Sequence, residues 1–77
     1  MEIYMIYKKS DMSITGFVFG DGTHFTETDT HNISTNKIEW LEEKTVDEYT
    51  LIKTYEDVED TINETHQVSE LGVVSKL

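Results

Sequence analysis

Residues 2–19 read EIYMIYKKSDMSITGFVF, and the alternation within this stretch decides the fold. Period-two patterning over residues 2–8 and 13–19 predicts two strands, and the short polar link Lys9-Ser10-Asp11 suits a hairpin between them. The first strand puts Ile3, Met5 and Tyr7 on one face and Tyr4 and Ile6 on the other, because successive side chains of a strand point to opposite sides. In the second, Ile14 and Val18 alternate with Phe17 and Phe19. Both faces of the hairpin are therefore apolar, whereas a strand in a two-layer domain has one wet face. Such a hairpin is either covered on both sides or meets another molecule.

Outward from the hairpin, Gly20-Asp21-Gly22 marks a turn. Residues 23–35 are rich in Thr, Asp, Asn and His and read as an exposed loop, with a short edge strand around Phe25. Residues 37–41 fit a strand or the start of a helix. Over residues 49–55, Tyr49, Leu51, Lys53 and Tyr55 alternate with Thr50, Ile52 and Thr54, which predicts a strand. A competing helical reading uses Val46, Tyr49 and Ile52, with Thr45 and Glu48 as a capping box. The β-branched Thr50, Ile52 and Thr54 are poor helix formers and favour the strand. From Tyr55 the period becomes helical, with Thr54 as N-cap, Glu56 and Asp57 at the positive end of the dipole, and Gly72 as the stop. Tyr55, Val58 and Ile62 form its narrow apolar stripe. Residues 73–77 add an edge strand or fray. The expected fold is α+β: a small antiparallel sheet of three to four strands, opened by the N-terminal hairpin, with one C-terminal acidic helix. Residues 1–77 are read as a single small acidic domain.

The composition excludes several classes of function. The 77 residues hold 16 acidic and 6 basic side chains, for a formal charge of −10. All the bases are Lys, and the chain has no Arg, Cys, Pro or Ala. A disulfide framework, a thiolate metal site and a cysteine nucleophile are thus impossible. The charge balance opposes direct binding to nucleic acid, which depends on Lys and Arg neutralising phosphates. The longest apolar run falls far below the roughly 20 residues of a membrane span. The stretch at residues 3–7 is too short for the apolar region of a secretory signal, and Lys8 and Lys9 follow rather than precede it. A cytoplasmic location is expected. Lys, Ile, Asn and Tyr have AT-rich codons, which points to a low-GC bacterium or its phage as the source. Two sequons, at Asn32 and Asn63, read as chance. Hydrophobic residues make up 36% of the chain, so a monomer is marginally stable and gains from self-association or a partner.

Catalytic and metal chemistry finds little support. His24 and His31 share the polar loop with Asp21, Glu27 and Asp29, but their spacing matches no metal site and the EF-hand pattern is missing. His66, near the expected helix C-terminus, suits the dipole and needs no further role. No Ser or Thr lies in a strand-turn-helix elbow, and Gly20-x-Gly22 lacks the rest of a phosphate-binding loop. The expectation is a chain with no enzymatic activity, cofactor or metal.

Charge is unevenly distributed. Residues 1–38 hold five acids and three Lys, whereas residues 39–77 hold eleven acids and three Lys. Glu56, Asp60 and Glu64 stand four apart, which on one helix makes a carboxylate ladder with spacings of about 6 Å. Duplex DNA carries about one charge per 1.7 Å of axis, so such a ladder fits a groove built for a phosphate backbone. The candidate partner-binding residues are Glu56, Asp57, Glu59, Asp60 and Glu64. Glu42, Glu43, Asp47 and Glu48 form a second patch, with Trp40 or Tyr49 as the anchor. A single Trp in a small domain more often belongs to the core.

No motif resembles that of a known family. The general profile of a tiny, acidic, Cys-free chain is similar to that of phage-encoded inhibitors of host proteins, including DNA mimics and anti-CRISPR or anti-restriction proteins. The resemblance implies a non-enzymatic inhibitor or modulator whose acidic surface docks on the basic groove of a nucleic-acid-binding protein. It implies no direct contact with nucleic acid or membrane. The alternative is a structural or assembly protein that forms a homodimer through the two-sided hairpin.

Overall fold

β1 (Ile3–Lys8) and β2 (Ile14–Phe19) pair as an antiparallel hairpin, with Ile3 opposite Phe19, Met5 opposite Phe17 and Tyr7 opposite Ile14. The structure is a computed structural model that describes residues 2–20 and 25–77. The proposed turn residues Asp21 and Gly22 and the candidate ligand His24 lie outside the described residues. At the hairpin link, the Asp11 carboxylate accepts the Ser13 backbone N–H at 3.0 Å and its hydroxyl at 2.6 Å. These bonds hold the Asp11 carboxyl below the ordinary carboxylate value. The two faces of β1 differ. Ile3, Met5 and Tyr7 are buried, whereas Tyr4 and Ile6 are only half-buried.

β3 (His31–Ile33) pairs antiparallel with the other edge of β1 and completes a sheet of order β2-β1-β3. The edge strand expected around Phe25 lies here instead. The chain after it continues along β1: Ser34 N–H donates to Met5 O at 2.8 Å and Ile38 N–H to Ile3 O at 2.8 Å. Backbone pairing with β1 thus places this segment, and its polar composition hides that from the alternation rule.

Residues 37–41 resolve as the entry to α1 (Glu39–Lys44), which leads to α2 (Glu48–Val58). The strand predicted over residues 49–55 is therefore corrected to a helix. Its N-cap is Asp47, in place of the expected Thr45 or Thr54. The Asp47 carboxylate accepts Thr50 N–H at 2.8 Å, and Thr50 Oγ1 accepts Asp47 N–H at 3.2 Å. Thr54 Oγ1 donates back to Thr50 O at 2.8 Å, so this β-branched residue is accommodated within the helix. Propensity differences of a few tenths of a kcal/mol per residue are outweighed by burying Leu51 and Tyr55, one turn apart. Tyr55 meets Phe17 of the sheet with ring centroids 4.9 Å apart.

The acidic helix also ends earlier than expected. A turn at residues 59–61 leads to α3 (Ile62–Thr65), then to an antiparallel hairpin of β4 (His66–Val68) and β5 (Val74–Lys76). Gly72 turns this hairpin rather than stopping a helix. Its φ of 78° favours glycine, and an added Cβ would lie 3.1 Å from the Tyr7 hydroxyl. Of the two outcomes expected for residues 73–77, an edge strand or a frayed end, the strand is found as β5, paired with β4 in a second sheet.

Two asparagines tie the parts together by imitating strand neighbours. Asn36 donates to Val74 O and accepts Val74 N–H, both at 2.9 Å. Asn63 accepts Ile14 N–H at 2.7 Å and donates to Ile14 O at 3.0 Å. Ser34, 2% exposed, accepts Met5 N–H at 3.1 Å and donates to Asn36 O at 2.8 Å. Between these ties lies one core of Ile3, Met5, Ile38, Leu41, Leu51 and Ile62, closed by Val68 and Val74 of the small hairpin. Ser34→Ala leaves the buried Met5 N–H without its side-chain acceptor, and a loss of about 1–3 kcal/mol is expected. Urea unfolding followed by circular dichroism checks this; an unchanged midpoint would show the bond to be dispensable.

Candidate functional site

The acidic residues fall on a continuous exterior built by α1, α2 and the turn after it. On α2, Leu51 and Tyr55 face the core with Val58 partly buried beside them, so at about 100° per residue Tyr49, Lys53 and Glu56 point away from it, and Asp60 is exposed in the turn that follows. Ile52 and Glu59 occupy one flank and Asp57 the other. Glu43, Asp47, Glu48, Glu56, Asp57, Glu59, Asp60 and Glu64 are all exposed. Among the described residues, the only ion pair in this set joins Lys53 to Glu56 at 3.5 Å. The others carry charge that no protein cation neutralises at close range.

Two of the expected arrangements change. Glu56, Asp60 and Glu64 do not stand on one helix, because α2 ends at Val58 and Glu64 belongs to α3. The straight ladder is broken at the turn of residues 59–61. Glu42 is half-buried and engaged, since its Oε1 accepts Ile3 N–H at 3.0 Å and closes the start of β1.

The anchor candidates separate as well. Tyr49 is 69% exposed and sits among the carboxylates, with Lys53 Nζ 5.7 Å from its ring centroid. Ile52, 40% exposed, stands three residues on along α2 and forms a short apolar strip with it, and Val46, 86% exposed, precedes the N-cap. Reading residues 49–55 as a strand hides this apolar strip, because alternation puts Tyr49 and Leu51 on one face. Trp40 lies elsewhere. It packs partly against the core and stacks on His66, with centroids 5.1 Å apart and planes 25° apart.

Trp40 and His66 line a cleft of about 910 Å³ between α1, α3 and the β4–β5 hairpin. Its basic lining residues are Lys37, Lys44 and Lys76, opposed by Glu39 and Glu43. No sequence signal announced this grouping, because the residues come from four elements that only the fold assembles. Burial first, and the Lys76 charge second, hold His66 below the ordinary histidine value of 6.5. As pH falls, the unfolded chain binds this proton before the folded one does. The stabilisation by neutral His66 is complete above the unfolded value and is lost as pH drops through the folded one. His66→Gln is expected to flatten the fall in thermal midpoint between about pH 7 and pH 5. Parallel curves for the two proteins would remove His66 as the cause.

His31, the described member of the loop histidines, contacts Thr30 Oγ1 through Nδ1 at 2.8 Å. Glu27 of the same loop pairs with Lys9. Among the described residues, no group of three or more His, Asp or Glu side chains is arranged to hold a metal ion. None of the described helices is long and apolar enough to cross a membrane. Fold and surface together define a small acidic α+β protein with a largely unpaired carboxylate surface and a cleft lined by lysines. No protein-family model, curated protein or solved structure matches the chain.

Proposed function

We propose that this chain is a non-enzymatic inhibitor or modulator that docks its acidic face on the basic groove of a nucleic-acid-binding protein and competes with the nucleic acid there. It is of the DNA-mimic, anti-CRISPR or anti-restriction type and acts in the cytoplasm. One observation carries the reading: the helix α2 and the turns at its two ends expose Asp47, Glu48, Glu56, Asp57, Glu59 and Asp60 together with the apolar Tyr49 and Ile52. A charged rim around an exposed aromatic is the usual anatomy of a protein interface, and a helix that served only structure would avoid the self-repulsion. Glu43, Asp47, Glu48, Glu56, Asp57, Glu59, Asp60 and Glu64 supply the field, Tyr49 the anchor, and Glu42 charge alone.

The test is capture of partners from a bacterial lysate on the tagged chain, with washes at low and then high salt. A single nucleic-acid-binding protein released by salt and displaced by duplex DNA supports the reading, because steered association is screened by ions. Retention that neither salt nor DNA disturbs overturns it.

A second reading rests on the outer face of the sheet, where Tyr4, Ile6, Val18 and Ile33 are only half-buried. A second copy seated there forms a homodimer and leaves the strongly acidic residues 39–77 outside the contact. Light scattering distinguishes the two, and a dimer lost on Ile6→Lys favours this one.

A further inference from the structure

The cleft beside Trp40 runs against the charge of the rest of the molecule. Three of the six lysines, Lys37, Lys44 and Lys76, line it against Glu39 and Glu43; Lys37 is also paired with Glu2 at 3.5 Å, so the cleft is close to neutral in a chain of −10. Lys44 and Lys76 form no ion pair among the described residues, although acids outnumber bases 16 to 6. Side chains from separate elements line up here. Lys44 Nζ lies 5.8 Å from the Trp40 ring centroid, Trp40 stacks on His66, and His66 stands opposite Lys76 across the β4–β5 pair. Ile38, Val58 and Val74 supply an apolar floor, and the volume of about 910 Å³ lies in the range of small-molecule sites. Two stacked rings and two unpaired lysines in the same cleft, above an apolar floor, match a flat ring that carries a negative group. The stacked rings offer aromatic contact, and the lysines offer charge-assisted hydrogen bonds.

We infer that this cleft binds a small aromatic anion of the nucleoside monophosphate class, with its phosphate on Lys44 and Lys76 and its ring against the Trp40 side of the floor. Burial disfavours the charged form of His66, and, among the described residues, the unpaired cations lining the cleft are Lys44 and Lys76. A free nucleotide fits better than a strand of nucleic acid, because a polyanion meets the field of the whole acidic chain while a single phosphate meets the cleft.

Trp40 is the only Trp in the chain, so intrinsic fluorescence reports this cleft alone. Titration with adenosine and uridine monophosphates is expected to give a saturable change in emission with Kd below about 1 mM. Adenosine alone, inorganic phosphate alone and a single-stranded DNA decamer bind more weakly. The double variant Lys44→Gln, Lys76→Gln, at exposed positions, keeps its circular dichroism spectrum and loses affinity by about tenfold or more. Isothermal calorimetry repeats the measurement without the fluorophore. The proposal is overturned if neither nucleotide gives saturable binding by either method, if phosphate alone binds equally well, if the decamer binds more tightly, or if the double variant binds as the natural chain does. The cleft shares Glu43 with the docking field but none of the α2 carboxylates, so the Lys44→Gln, Lys76→Gln result is read separately from the docking proposal.

Discussion

Reversal of Glu56, Asp57 and Asp60 to Lys is expected to abolish capture of the partner while leaving the fold intact. All three side chains are exposed, and only Glu56 has an ion-pair partner among the described residues. The variant moves the formal charge by six, from −10 to −4, within a single patch. Electrostatic steering raises association rates by about 10–10³, and like charges brought together across an interface cost several kcal/mol, so an affinity loss of at least a hundredfold is expected. Surface plasmon resonance against the identified partner at two salt concentrations measures it. A control that reverses Glu27, Asp29 and Glu70 changes the net charge equally at other positions. If the control loses affinity to the same degree, net charge governs binding and the patch is not the site. If neither variant loses affinity, the acidic surface serves only solubility. Tyr49→Ala separates the anchor from the field, since truncating a central aromatic costs about 2 kcal/mol or more and acts mainly on dissociation.

Leu51→Ala is expected to unfold most of the population at 37 °C. Leu51 is 0% exposed at the centre of the core, and truncating such a residue costs about 2–5 kcal/mol. A core of this size rarely supplies more than about 3–5 kcal/mol in total, so the substitution consumes most of the stability. Ile52→Ala, at a neighbour 40% exposed, is expected to shift the urea midpoint by about 0.5 kcal/mol or less. Tyr49→Ala is expected to be similarly mild. The three variants discriminate between secondary structures. A strand places Tyr49 and Leu51 on the same face and makes their losses comparable, whereas a helix separates them. Equal losses at Tyr49 and Leu51 would refute the helix.

The N-terminal hairpin and its inward set Ile3, Met5 and Tyr7 are legible in the residues alone, because a period-two pattern has one backbone solution when a short polar link follows it. The α+β class is legible from the hairpin together with the helical period further on, and the concentration of acids after residue 38 is read directly from composition. The segment at residues 49–55 is not. It alternates and is β-branched, and local preferences of tenths of a kcal/mol point to a strand. The Asp47–Thr50 capping box and the burial of Leu51 with Tyr55 exceed those preferences, and burial is known only once the sheet is in place. The same limit hides β3, which has almost no apolar signal and exists because β1 offers it an edge.

The functional surfaces divide along this line. Exposed charge is local, so most of the acidic face could be named from sequence. The break in the ladder depended on where α2 ends, and the withdrawal of Glu42 into a bond with Ile3 on how α1 meets β1. The cleft of Trp40, His66, Lys44 and Lys76 depends entirely on tertiary structure. Its residues span positions 37–76 and share no period or motif, and they meet because Asn36 bonds to Val74 and the β4–β5 register sets His66 against Lys76. Sequence alone determines which charges and apolar periods a chain carries. Long-range hydrogen bonds and the shared core decide which of them face one another, since their free energy belongs to pairs of segments rather than to either segment by itself.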